Sequence, residues 1–125
     1  MQIINSPGVN PPAGHYSHAV VVGDLVYVSG QLPFALNSSQ LAEGAAEQTL
    51  QTLKNLEAIL ITSGSALDHL VSVQIMVSDI KFWPDVNQVY SQYLQNHKPA
   101  RTIIPCGELH YGALVEISAV AQVVR

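Results

Sequence analysis

Arg101 and Glu116 are the two side chains in this sequence that ask first for a chemical reading. Arg101 follows Lys98-Pro99-Ala100 at the mouth of a short apolar run, and Glu116 is the only charge in the stretch from 113 to 124. An arginine presents its donors as a planar fork that suits two-point capture of a carboxylate. A carboxylate within an apolar strand is costly unless it is paired or used. One anchor for an anionic substrate and one acid/base is the chemistry these types would supply. A structural Arg–Glu ion pair, or a Glu on an exposed sheet face, produces the same pattern, and residue types alone leave these readings open.

Other candidates stand around them. Ser29 and Gly30 follow the apolar Leu25–Val28, and a glycine there can free backbone N–H groups and admit a ligand, although an ordinary strand-end turn has the same look. No Gly-x-Ser-x-Gly elbow is present, so Ser29 is not read as a nucleophile. Asn87 lies one helical turn from Trp83 and from Tyr90, as either a ligand contact or a buried amide. His15 and His18 fall on opposite faces of an extended segment, while His69, His97 and His110 are isolated. No Cys/His grouping has metal-ligand spacing, and no metal is expected. Cys106 has no activating neighbour and reads as a small buried apolar residue. No glycine-rich phosphate loop occurs.

The elements that must position these groups are legible from period and punctuation. Residues 1–16, rich in Gly, Pro, Asn and Ser, read as an extended lead-in. Ala19–Val22 and Leu25–Val28 flank Gly23-Asp24, which predicts a hairpin with a type II′ turn. Residues 34–42 read as a loop. From Glu43 to Ser63 the repeat of Ala46, Leu50, Leu53, Leu56 and Leu60 predicts an amphipathic helix that Gly64 ends. Residues 69–78 alternate as a strand, with Val71, Val73, Ile75 and Val77 on one face. Pro84 and the spacing of Phe82, Val86, Tyr90, Tyr93 and Leu94 predict a helix over about 83–95. Arg101–Pro105 is a short strand limited by its proline, and Ala113–Val124 is the last strand, apolar at every odd position. The order ββ-α-β-α-ββ gives an α+β layer with both helices on one sheet face.

Composition constrains the surface. Asp, Glu, Lys and Arg make up 11% of the 125 residues, against roughly 25% in an average soluble domain. Apolar residues make up 48%, which excludes disorder, and no apolar run approaches the roughly 20 residues of a membrane span. So few charges leave a surface that hydrates poorly, and part of it is expected to be covered by other subunits. The net charge of −4 and the scattered Lys54, Lys81, Lys98, Arg101 and Arg125 form no basic stripe, which argues against nucleic acid. One cysteine and an N-terminus without a basic or apolar signal segment suit the cytoplasm. The length suits one domain, 1–125, and neither repeats nor low-complexity tracts appear.

Five stretches, in this order, resemble the YjgF/RidA family of enamine/imine deaminases: Gly14-His15-Tyr16-Ser17-His18-Ala19, Val28-Ser29-Gly30-Gln31-Leu32-Pro33, Asp85-Val86-Asn87-Gln88-Val89-Tyr90, Pro99-Ala100-Arg101-Thr102 and Leu114-Val115-Glu116-Ile117-Ser118-Ala119. The resemblance implies the fold of the small trimeric chorismate mutases, a mixed sheet with two helices on one face. It also implies a homotrimer with active sites in clefts between subunits. The implied reaction is hydrolysis of 2-aminoacrylate and related 2-imino acids, released by pyridoxal-phosphate enzymes, to 2-keto acids and ammonia, without a cofactor. By the same resemblance Arg101 would hold the substrate carboxylate, and Glu116, kept ionised by the arginine charge, would orient or activate water. Tyr16, Ser29 and Asn87 match pocket residues, and Gly30 with the backbone at Ile103 completes the pocket. Three places depart from the pattern: Ile103 replaces a frequent cysteine, His15 a proline, and Leu109-His110-Tyr111 a Leu-Pro-Lys segment. A non-catalytic module for small carboxylates is a second expectation, and RNA cleavage or translation inhibition a third.

Overall fold

The computed structural model describes residues 1–124. Six strands form one sheet: β1 (Gln2–Ile4), β2 (Ala19–Val22), β3 (Leu25–Gln31), β4 (Leu70–Val77), β5 (Ala100–Pro105) and β6 (Val115–Gln122), in the order β1-β2-β3-β6-β4-β5. Neighbours are antiparallel except β4 and β5. A parallel neighbour needs a crossover, and helix α2 (Trp83–Leu94) supplies it, while α1 (Gly44–Thr62) joins β3 to β4. This mixed sheet with two helices is the expected α+β, chorismate-mutase-like layer.

The hairpin turns where the sequence places it. Gly23 alone of the two turn residues has positive φ, at 56°, as a type II′ turn requires. Gly64, at φ 79°, ends α1. β6 buries Val115, Ile117, Ala119 and Ala121, and this face shares one core with Val73, Ile75 and Val77 of β4, Leu53, Leu56, Ile59 and Leu60 of α1, and Val86, Tyr90 and Leu94 of α2.

Four expectations need correction. Cys106 is exposed rather than buried. The lead-in is not all irregular, because Gln2–Ile4 pairs with β2. Val71 is exposed, because a register shift between Leu70 and Ser72 hands its core place to Leu70. The first half of the α1 stripe runs through Ala45, Gln48, Thr49 and Thr52 rather than Ala46 and Leu50. The two threonines are satisfied by donating to the carbonyls of Ala45 and Gln48, both at 2.7 Å. Gln48 donates to Ala42 O and accepts from Leu114 N, which ties the start of α1 to the start of β6.

The face opposite the helices carries Ile3, Val20, Val22, Leu25, Tyr27, Val120, Ser72, Gln74, Thr102, Ser118, Met76 and Ile104 by register, and Glu116 is its only charge among the strand residues. Ile3, Val22, Tyr27 and Ile104 are exposed there. The scarcity of charge in the composition thus has an address.

Candidate functional site

The candidate residues form two separate constellations. The first is built on α2 and β5. Arg101 is opposite the buried Val73 in the β4–β5 register, so its side chain rises on the helix side of the sheet. There its Nη1 donates to Asn87 Oδ1 at 2.9 Å, and the guanidinium lies 4.9 Å from the Tyr90 ring centre and 5.8 Å from that of Trp83. Trp83, Asn87 and Tyr90 are spaced at one and two turns of α2, which puts amide and rings on one stripe facing the arginine. The clamp orients the fork without neutralising it. Among the described residues the one ion pair is His69 with Asp68, so Arg101 faces no carboxylate. Among the described residues Arg101 and Glu116 therefore form no ion pair.

A cavity of about 380 Å³ opens beside this clamp, with Arg101, Tyr90, His97 and Lys98 in its wall. The Tyr90 hydroxyl, in a residue only 6% exposed, has no partner among the described residues. Burial pushes its phenol above the usual value, against the pull of the Arg101 charge. Ile103 pairs with Ile75, and its partly buried side chain packs against the core on the Arg101 side, with its backbone on the edge strand.

The second constellation gathers at the end of β3. Between Val28 and Gln31 the register with β6 shifts, placing Ser29 and Gly30 opposite the single Ser118. The half-buried carboxylate of Glu116 lies against Gly30. A Cβ added at position 30 would collide with its terminal oxygen and stand 3.0 Å from its Cδ. The glycine thus lets the Glu116 carboxylate approach this closely, while its own φ is unremarkable. Glu116 has no hydrogen bond among the described residues. Burial raises its pKa above the ordinary carboxylate value, while the nearby His110 pulls it down. Arg101 of the same chain is not among the charges that act on it.

Ser29 fastens the lead-in segment to this bulge: its Oγ donates to Ser17 O at 2.6 Å and its N–H to His18 O at 3.0 Å. His18 is buried, accepts at Nδ1 from Ser6 N–H, and meets Asn10 O at Nε2, both at 2.8 Å. Those partners fix the neutral Nε2–H tautomer and give His18 a structural role. A cleft of about 440 Å³ opens beside Gly30, walled by Tyr16, Leu32, Phe34, His110 and Tyr111 among others. Tyr16 is 49% exposed at its mouth, its hydroxyl accepting from Ala13 N–H at 3.3 Å.

The sequence reading picked out Arg101, Asn87, Glu116, Ser29, Gly30 and Tyr16 but missed Trp83 and Tyr90 as the clamp and His110 with Tyr111 as a cleft wall. The spacing of Trp83, Asn87 and Tyr90 was the available signal for the clamp, hidden because Tyr90 also serves the apolar stripe. No group of three or more His, Cys, Asp or Glu among the described residues could hold a metal ion. Among the described residues no helix is long and apolar enough to cross a membrane.

Comparison with known proteins places this arrangement. Residues 7–123 match the family model described as Endoribonuclease L-PSP. A RutC family protein of Aquifex aeolicus is 37% identical over 123 residues, covering 97% of this chain and 98% of that one. A RutC family protein of Saccharolobus solfataricus is 36% identical over 122 residues, covering 97% of each. The crystal structure of RidA from an Antarctic Psychrobacter superposes with a TM-score of 0.94 at 32% identity, covering 98% of this chain and all of that one. With the family model spanning nearly the whole sequence and these relatives matching end to end, the chain belongs to the YjgF/RidA family, whose model carries the endoribonuclease L-PSP description.

Proposed function

We propose that this protein is a cytoplasmic, single-domain enzyme that hydrolyses 2-imino acids, and their enamine tautomers such as 2-aminoacrylate, to 2-keto acids and ammonia. The observation that carries the reading is a pair of uncompensated charges. Arg101 is oriented by an amide and two rings yet faces no carboxylate, and Glu116 is half-buried without a hydrogen bond. A half-buried carboxylate without a partner is costly, and the oriented arginine keeps donors free for an anionic ligand.

The chemistry follows from the two groups. The Arg101 fork binds the substrate carboxylate at two points. Glu116 takes a proton from water as its oxygen attacks the carbon of the protonated imine, giving a neutral carbinolamine. The same carboxyl returns that proton to nitrogen and, again ionised, takes the hydroxyl proton as the C–N bond breaks and the carbonyl forms; ammonia carries this last proton away and the keto acid leaves. The raised pKa of Glu116 makes its ionised carboxylate a stronger proton acceptor toward water.

Within one chain the two groups cannot meet one substrate, because they lie on opposite sheet faces. The site therefore forms between copies, Arg101 from one and Glu116 from the next, in the homotrimer that the family resemblance implies. The open, almost uncharged sheet face, with Tyr27 and Ile104 exposed, supports such a covering. Tyr16, Ser29 and Gly30 would complete the Glu116 side and Asn87 and the Ile103 backbone the Arg101 side. The reading needs no cofactor, membrane or nucleic acid.

The test couples the protein to a threonine dehydratase and follows keto-acid release. Acceleration over the dehydratase alone, lost in Arg101→Ala, is expected. Binding of a keto acid without any acceleration would instead favour a non-catalytic carboxylate-binding module, and RNA cleavage would favour the nuclease reading.

A further inference from the structure

The segment Leu109–Gly112 carries more strain and more exposed aromatic surface than a connection to β6 needs. Tyr111 sits at φ 63°, in the left-handed region, and Gly112 follows at φ 74°. Positive φ at a bulky residue is an outlier that persists only when something holds it. The ring so placed is 54% exposed, stacks on His110 with centres 3.8 Å apart, and meets Phe34 edge-on at 5.3 Å. The core receives little from this, since Tyr111 and His110 are outside it. What the strain achieves is a continuous aromatic wall, His110–Tyr111–Phe34, along the cleft that also touches Tyr16, Leu32 and Gly30. Gly30 is the residue against which the Glu116 carboxylate lies, so the cleft shares a wall residue with the proposed reacting centre.

We infer that this cleft is the side-chain subsite for a 2-imino acid bearing an aromatic side chain, with Tyr111 and His110 as its specificity-determining residues. The inference rests on the deaminase reading and adds the substrate class. A methyl or ethyl side chain would leave most of a cleft of about 440 Å³ to water, whereas a benzyl group fills part of it and extends the edge-to-face and stacked array already present. A ring seated there would also cover the exposed His110–Tyr111 stack.

The experiment compares two imines formed in place by an L-amino-acid oxidase, 2-imino-3-phenylpropanoate from phenylalanine and 2-iminopropanoate from alanine. Keto-acid release above the spontaneous rate gives kcat/KM for each. The unaltered protein should favour the aromatic imine, and Tyr111→Gly should lower the aromatic-to-methyl ratio about tenfold or more. Glycine at 111 removes the ring and relaxes the backbone at once, so loss of fold does not confuse the result. His110→Ala should lower the ratio in the same direction. Turnover of both imines with an unchanged ratio in both variants would overturn the subsite alone. No turnover of either imine by the unaltered protein would overturn the deaminase reading, and the subsite with it.

Discussion

Arg101 and Glu116 lie on opposite faces of the same sheet. Arg101 is opposite Val73 and Glu116 is opposite Met76 on the shared neighbour β4, and residues three apart on a strand point to opposite sides. The strand is regular between those positions, the register shift falling earlier, between Leu70 and Ser72. A small substrate therefore does not reach both groups within one chain.

The clamp on Arg101 makes a prediction about binding. Asn87→Ala removes the acceptor at 2.9 Å from Nη1 and leaves the guanidinium to the two rings. A hydrogen bond to a charged group contributes about 1.5–3 kcal/mol, and partial exposure of Arg101 favours the lower end, so KM should rise about tenfold with a smaller change in kcat. Steady-state kinetics on the imine check this; an unchanged KM would mean that Asn87 does not position the fork.

Gly30→Ala separates function from folding. The added Cβ meets the far end of a flexible side chain, which can swing away, and φ at this position imposes no strain. Stability should change by about 1 kcal/mol or less, while kcat/KM falls tenfold or more because the Glu116 carboxylate is displaced. Urea unfolding and turnover measured on one preparation distinguish this from a general defect, in which both would fall together.

The carboxyl of Glu116 predicts a pH dependence of stability. Burial raises its folded pKa above the ordinary 4.5, so the folded chain holds the proton more tightly than the unfolded chain. Its stabilising contribution is complete below 4.5 and is lost as pH rises through the folded value. Glu116→Gln should therefore raise Tm near neutral pH, and the gain should fade toward and below 4.5. A gain that stays constant with pH would assign the effect to something other than this carboxyl.

His18 predicts a purely structural loss. His18→Ala strands the Ser6 N–H and the Asn10 carbonyl that the buried ring now satisfies. Leaving both unpaired should cost about 2–4 kcal/mol in urea unfolding. A loss within a few tenths of the parent would mean that water replaces the ring.

Much of this was legible in the sequence because local rules and tertiary demands agree there. The hairpin around Gly23-Asp24, the end of α1 at Gly64 and the alternation of β6 each follow from one local signal that packing reinforces. Val71 was misplaced because a bulge is a pairing event, invisible in a strand read alone. Gln2–Ile4 was missed because a three-residue edge strand is defined by its partner. Arg101 and Glu116 were found by their types. Their opposite faces depend on the order β6-β4-β5, which a linear reading does not contain. His110 and Tyr111 were seen only as departures from a familiar pattern, since their role comes from Phe34, distant in sequence, closing the same wall.

The most direct test of a shared site is complementation between two inactive variants, Arg101→Ala and Glu116→Gln, expressed separately and then together. Each alone should fail to hydrolyse the imine. Random co-assembly in a three-membered ring restores an intact Arg101–Glu116 pair at about a quarter of the interfaces, so the mixture should recover about a quarter of the parent activity. A mixture as inactive as its two components, from assemblies shown to contain both chains, would contradict a site built between copies.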